Sequence, residues 1–167
     1  MSKAAQAAVR EFADAGDPEL VAKSVVRLLV AAALGAAMGY ERESIGKTAG
    51  IRMHMLAAMG AAMFVMVPQL IGVSDTDVSR VVQGLVAGIG FLGAGAILKG
   101  DADGQAKGMT TAAGIWLTAA IGMAAGMGRE AMAILSTLLA LGVLTLGPRL
   151  ASRWGKGKND KPEGPPE

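Results

Sequence analysis

Long apolar stretches alternate with short charged stretches along most of the chain. A helix needs about 20 apolar residues to cross the hydrocarbon core of a bilayer. Five stretches approach that length, and each is bounded by charged residues, glycine or proline. The pattern predicts an all-α, polytopic membrane bundle with five transmembrane helices, at residues 25–40, 53–72, 81–98, 109–128 and 131–147.

Local signals bound the first and last spans. Asp17-Pro18-Glu19 is a helix-start signal, because Asp caps a helix N-terminus and Pro is tolerated in the first turn. Pro148 and Arg149 are expected to stop the last helix. We therefore divide the chain into an N-terminal amphipathic surface helix or mobile segment, a transmembrane domain and a disordered basic tail, at residues 1–24, 25–148 and 149–167.

Lysine and arginine are divided unevenly between the two sets of alternating loops. The set that includes the C-terminal tail holds 10 of the 16 basic residues, and the other set holds 6. Loops rich in Lys and Arg stay in the cytoplasm. We therefore expect a periplasmic N-terminus and a cytoplasmic C-terminus, although four basic residues at or before the first span argue for the opposite orientation.

The third span is unusually rich in glycine. Residues 88–93 match the nucleotide-binding fingerprint G-x-G-x-x-G, but the match lies inside an apolar span and lacks the acidic residue about 20 positions further on. Small residues let helices approach closely in a membrane. We therefore predict that this run is the close-packed centre of the bundle, through Gly84, Gly88, Gly90, Gly93 and Gly95.

Polar residues collect near the ends of the spans. Under this topology the cytoplasmic end holds seven candidates for functional residues: Glu41, Arg42, Glu43, Arg52, His54, Thr110 and Thr111. The opposite end holds Asp77 and Arg80, which share a helical face, with Gln83 one turn further inside.

These polar residues also have ordinary structural explanations. Arginines at span ends commonly reach the lipid headgroups, and Asp77 could cap the third helix. Gln83 could bond a neighbouring helix or line a polar path. Glu41 and Glu43 gain nothing from anionic lipid, so a buried network with arginine is the sharper hypothesis for them. A histidine within such a cluster could titrate near neutral pH.

Composition restricts the possible chemistry. Cysteine is absent and His54 is the one histidine, which excludes disulfides, thiolate sites and a multi-histidine metal site within one chain. No nucleophile-elbow pattern surrounds Ser44, so no enzyme is predicted. Aromatic residues make up 4% of the chain, which argues against a nucleic-acid partner. No cofactor is predicted, while Mg²⁺ binding is left open because magnesium prefers carboxylate and water oxygens.

Several motifs in a fixed order resemble the MgtC/SapB family of bacterial inner-membrane proteins. They are Glu41-Arg42-Glu43, the segment 46–56, Asp77 with Arg80 and Gln83, the glycine block 88–95, and the segment 108–122. The resemblance spans roughly residues 28–128. It implies a five-helix membrane domain, and this chain is expected to lack the small cytoplasmic α/β domain that many members carry.

The resemblance also implies a role in adaptation to low magnesium or acid stress. It further implies similarity to the best characterised members, which are regulators linked to the membrane sector of the F-type ATP synthase. We therefore expect a non-enzymatic regulator in contact with the lipid bilayer and a membrane protein partner, with homo-oligomers favoured by the small-residue faces. The alternative is a protein that senses or translocates Mg²⁺ or H⁺.

Reporter fusions at the two chain ends test the topology. An odd number of spans places the ends on opposite sides, so a periplasm-active reporter works only at the N-terminus and a cytoplasm-active one only at the C-terminus. Cytoplasmic location of both ends would contradict the five-span topology.

Overall fold

The computed structural model describes residues 17–99 and 106–155, and five long helices make up most of them. In chain order these are α1 (Pro18–Ser44), α2 (Ile51–Leu70), α3 (Asp75–Gly95), α4 (Met109–Gly126) and α5 (Glu130–Gly155). All five are long and apolar enough to cross a membrane. The all-α membrane bundle predicted from the apolar pattern is confirmed.

The first helix is longer than predicted at both ends. The side chain of Asp17 caps it by accepting hydrogen bonds from the backbone amides of Glu19 and Leu20, at 3.0 and 3.2 Å. The helix then continues to Ser44. The polar triplet Glu41-Arg42-Glu43 is therefore helical. Residues 18–24 of the predicted N-terminal surface or mobile segment belong to α1, and residues 1–16 of that segment lie outside the described residues.

Pro148 does not end the last helix. α5 runs from Glu130 to Gly155 with Pro148 inside it, so the predicted stop is wrong, and residues 149–155 are helical rather than part of a disordered tail. A proline removes one backbone hydrogen bond, and membrane helices tolerate this loss when nearby groups satisfy the freed carbonyl. The rest of the predicted tail lies outside the described residues.

A short β-hairpin joins α3 to α4, which the apolar pattern did not indicate. Its antiparallel strands are β1 (Leu98–Lys99) and β2 (Ala106–Lys107), with Leu98 opposite Lys107. The predicted third span therefore stops at Gly95 rather than at residue 98. Gly108 then turns the chain into α4 with a φ of +93°, and a Cβ there would collide with the carbonyl oxygen of Ala96, so the turn requires glycine.

The centre of the bundle is formed by α1, α2 and α4, and α4 packs against all four other helices. Of the 18 residues of α4, 56% are buried, against 33% or less in the most apolar 18-residue stretch of each other helix. A Cβ built on Gly35 of α1 would lie 2.6 Å from the carbonyl oxygen of His54. A Cβ on Gly122 or Gly126 of α4 would lie 2.7 Å from backbone carbons of Ala58 or Ala62. The α2 backbone is therefore in direct contact with both neighbouring helices.

The glycines of α3 do not form this centre within one chain. A Cβ at Gly84, Gly88, Gly90 or Gly95 would meet no atom within 4 Å, and only Gly93 approaches α4, at 3.7 Å from Ala112. The prediction that this run is the close-packed centre is wrong for the single chain. The reason is that α3 lies at the edge of the bundle and buries a different face, through Val78, Ile89 and Gly93.

A matched pair of glycine substitutions tests which contacts hold the bundle together. Gly122→Ala places a methyl group against the α2 backbone, whereas Gly142→Ala on α5 places one in open space. Overpacking a close contact costs about 1–3 kcal/mol. We expect Gly122→Ala to lower the free energy of unfolding in SDS titrations by about that amount, with no loss in Gly142→Ala. Equal stability of the two variants would contradict the assignment of the core.

Candidate functional site

The candidate site lies at the end of the bundle where α1 passes into α2, which we call the α1–α2 end (the last turn of α1, residues 45–50 and the first turn of α2). Here the two helices are in backbone contact, because a Cβ on Gly39 would lie 2.8 Å from the carbonyl oxygen of Gly50. Glu43 closes the turn: its Oε2 accepts a hydrogen bond from the backbone amide of Ile51 at 2.9 Å. Since the N-cap residue Gly50 has no side chain, Glu43 supplies the cap for α2.

Glu41 and Arg42 form a buried ion pair at this end. The Nε of Arg42 donates to Oε2 of Glu41, and the two side chains are 3% and 12% exposed. Removing one member of a buried pair leaves an uncompensated charge in a low-dielectric environment, which is strongly destabilising. The predicted pairing of Glu41 with an arginine is therefore present, and the partner is its immediate neighbour in the chain.

His54 lies one turn inside α2 and is completely buried. Its Nδ1 is 3.0 Å from the carbonyl oxygen of Gly50, and a carbonyl can only accept. Nδ1 therefore carries the proton in the neutral ring, which leaves the Nε2 lone pair free. Nε2 has no hydrogen-bond partner among the described residues. It faces α4, where a Cβ on Gly114 would lie 3.7 Å away.

The α4 side of this interface carries a second unpartnered polar atom. Oγ1 of Thr118 is buried without a hydrogen-bond partner in the described part of the chain. Thr118 lies one helical turn beyond Gly114, and Thr111 is buried at 2% exposure one turn before it. Thr110, by contrast, is exposed. The α2–α4 interface therefore buries an imidazole nitrogen and a hydroxyl within a mainly apolar contact, and sequence reasoning did not identify Thr118.

A polar cleft of about 380 Å³ opens beside these buried groups. Glu43, Lys47, Thr48, Gly50 and Arg52 line most of it. Arg52 is exposed and belongs to this surface rather than to the buried pair. The α1–α2 end therefore has a buried layer, with Arg42 and His54, and a surface layer, with Glu43 and Arg52.

Asp77, Arg80 and Gln83 lie at the start of α3, away from this site, and all three are exposed. Oγ of Ser74 donates to Oδ2 of Asp77 at 2.7 Å and accepts from its backbone amide at 3.3 Å. This reciprocal arrangement caps α3, so Asp77 has the structural role weighed above. Nη1 of Arg80 is 3.7 Å from Oδ1 of Asp77. Such exposed pairs contribute little to stability.

Arg27 of α1 contacts the end of α4, and the sequence did not lead us to predict this contact. Its Nη1 donates to the carbonyl oxygen of Gly126 at 3.1 Å, at the C-terminal end of α4, where the helix dipole favours a cation. Gly128 adjoins it with a φ of +72°, and a Cβ there would lie 2.6 Å from Nη2 of Arg27. The available signal was an arginine in an apolar stretch. Its position near the start of the predicted span, at residue 27 of 25–40, favours a flanking basic residue over a contact with another helix.

The described residues contain no group of three or more His, Cys, Asp or Glu side chains placed to hold a metal ion. Mg²⁺ binding remains a prediction. The carboxylates of Glu41, Glu43 and Asp77 already bond to protein groups of the same chain.

Sequence comparison identifies the type of membrane protein that has these features. The profile of the MgtC family matches residues 28–153, which include every helix except the first turns of α1 and the end of α5. The chain belongs to the MgtC family. It is therefore a multi-pass membrane protein of that family, in agreement with its five apolar helices.

Three relatives illustrate how far the similarity extends. YhiD of Escherichia coli (strain K12) is 39% identical over 142 residues, which cover 80% of this chain and 65% of YhiD. SrpB of Synechococcus elongatus is 44% identical over 135 residues, 74% of each chain. Protein MgtC of Brucella abortus (strain 2308) is 39% identical over 113 residues, 68% of this chain and 46% of that protein. No solved structure gives a significant match.

These shares differ in an informative way. This MgtC family chain spans less than two thirds of YhiD and less than half of the Brucella protein. The similarity therefore concerns the membrane helices that carry the α1–α2 end, and it does not extend over the whole of these relatives.

A double-mutant cycle tests the buried ion pair. We expect Glu41→Gln and Arg42→Gln each to lower the free energy of unfolding by about 3 kcal/mol, and the double variant to lose less than the sum. The control is Lys23 with Glu19, an exposed pair of side chains at 61% and 77% exposure, for which Gln substitutions should cause no measurable loss. Additive losses at Glu41 and Arg42 would show that the pair does not act as a unit.

Proposed function

We propose that this protein is a non-enzymatic regulator in the bacterial inner membrane, with its N-terminus in the periplasm and its C-terminus in the cytoplasm. It acts on a membrane protein partner, such as the membrane sector of the F-type ATP synthase, in adaptation to low magnesium or acid stress. Membership of the MgtC family is consistent with this role, and the packing of the bundle favours it over transport through a single chain.

The observation that carries the proposal is the closed centre of the bundle. Gly35, Gly39, Gly122 and Gly126 bring α1 and α4 onto the α2 backbone so closely that a single added Cβ would collide with it. Mg²⁺ keeps several of its waters when it binds to proteins, so a hydrated ion needs far more room than these interfaces leave. A rigid, closed bundle is better suited to act through contacts with another membrane protein.

The α1–α2 end supplies a physical basis for a response to conditions. Arg42 of α1 and His54 of α2 are both buried where the two helices meet. The Nε2 lone pair of His54 has no hydrogen-bond partner among the described residues. A proton on Nε2 would add a donor and a positive charge between Arg42 of α1 and the uncharged residues Thr111, Gly114 and Thr118 of α4. Such a change would alter the packing of α2 against α4, and through it the surface offered to a partner.

The alternative is a protein that senses or translocates Mg²⁺ or H⁺. Two observations favour it: YhiD is named as a candidate magnesium transporter, and acidic residues lie at both ends of this bundle. A path for the ion would then have to run outside the α1–α2–α4 interface.

Two measurements separate these functions. A strain without the gene is expected to grow poorly in low-magnesium medium, to recover with the wild type or Glu19→Gln, and not to recover with Arg42→Gln at equal membrane level. Chemical cross-linking in those membranes is expected to capture a subunit of the F-type ATP synthase with the wild type but not with Arg42→Gln.

Flux measurements test the alternative function directly. Proteoliposomes with wild-type protein are expected to release Mg²⁺ and H⁺ no faster than protein-free liposomes. A flux that Asp77→Asn abolishes, together with failure to capture a partner, would overturn the regulatory role in favour of ion translocation.

A further inference from the structure

A regular pattern of residues runs along one side of α3. Counting along the helix, Asp77, Val81, Gly84, Gly88, Phe91 and Gly95 follow one another at spacings of four, three, four, three and four residues. This alternation places all six residues in one stripe along the helix. It is the pattern of a helix that packs lengthwise against a second helix. We call these six residues the α3 stripe.

The α3 stripe contains none of the residues by which α3 is buried against its own bundle. Val78, Ile89 and Gly93 are the buried residues of the helix. On the stripe, Gly84, Gly88 and Gly95 would accept a Cβ without meeting any atom within 4 Å, and Phe91 is 82% exposed. Within one chain, therefore, the described residues leave these three glycines and Phe91 largely open, while Val81 is half-buried beside an apolar groove.

The shape of the α3 stripe suits a copy of itself. All copies of a membrane protein share one orientation, so two α3 helices related by an axis along the membrane normal run parallel, with the same residues at the same depth. Side chains of a helix lean toward its N-terminus, so Phe91 of one copy reaches the level of Gly88 on the partner. The absent Cβ leaves space there, beside an apolar groove of about 400 Å³ lined by Phe64, Gly84, Gly88 and Leu92.

Charge identifies the occupant as a second copy. Asp77 and Arg80 lie on this same face at the start of α3, with opposite charges and side-chain exposures of 54% and 76%. Their separation within one chain, 3.7 Å, is longer than a strong charge-assisted hydrogen bond. A twofold axis brings Asp77 of each copy toward Arg80 of the other, which makes two reciprocal ion pairs. Asp77 and Arg80 are separated by about one helical turn along α3, so the long Arg80 side chain has to reach back by that distance toward Asp77 of the other copy, and the face can then pair with a copy of itself.

We propose that the α3 stripe is the interface of a parallel homodimer, with reciprocal Asp77–Arg80 pairs at one end and Phe91 over Gly88 of the partner further along. The proposal does not depend on which protein the dimer regulates or on whether it carries an ion.

Single-cysteine cross-linking in native membranes tests this interface, because the chain contains no cysteine of its own. We expect Gly84→Cys and Gly88→Cys to form disulfide-linked dimers under mild oxidation, several-fold more than two controls. These are Val86→Cys, off the stripe on α3, and Leu138→Cys, on the exposed side of α5; the native side chains are 39% and 63% exposed. Equal cross-linking at all four positions, or cross-linking of the stripe to a different protein, would overturn the proposal.

A charge exchange tests the reciprocal pairs separately. Asp77→Arg and Arg80→Asp are introduced into two Gly88→Cys chains that carry tags of different size and are produced together. Each chain repels its own copy, whereas the mixed pair restores opposite charges at both contacts. We expect mixed dimers well above the half that random pairing gives, with random pairing for two tagged chains that carry Gly88→Cys alone. A random distribution for the exchanged charges, at normal membrane levels, would refute the pairing of Asp77 with Arg80.

Discussion

The structure depends on the direct approach of helix backbones to α2. Gly35 and Gly39 on α1, and Gly122 and Gly126 on α4, each present a site where a Cβ would collide with the α2 backbone. In lipid there is no hydrophobic gain from joining two apolar helices, so close van der Waals packing at small residues becomes the main source of association. The positions of α1, α2 and α4 follow from these contacts, and α3 and α5 add to the outside.

The same contacts determine which polar groups become buried. The carbonyl oxygen of His54 is the atom that Gly35 approaches, and Gly114 gives the imidazole room beside α4. A Cβ at Gly35 would collide with the backbone of His54 and push α1 away from it. Charged side chains also complete helix ends: Glu43 caps α2, and Arg27 satisfies the last turn of α4. The charged side chains that bond within this protein therefore lie near helix ends, and close backbone packing holds those ends in place.

Hydropathy was sufficient to predict five helices, because length and apolar content alone decide whether a segment can span a bilayer. It could not tell which glycine-rich face is internal. Gly84 and Gly122 have similar apolar surroundings in the sequence, yet one is open and the other contacts α2. That difference depends on the arrangement of helices, which residue spacing does not encode. Arg27 and Thr118 were missed for the same reason, since their significance comes from α4 and α2 respectively.

His54 of α2 is enclosed against α4, with its Nδ1 proton donated to the carbonyl oxygen of Gly50. Because the chain has a single histidine, ¹⁵N-histidine NMR of the protein in nanodiscs reports on this side chain alone. A closed site predicts one neutral imidazole signal at pH 7 with the proton on Nδ1, protected from exchange with water. A proton on Nε2, or rapid exchange with solvent, would contradict the enclosure of His54 in the bundle.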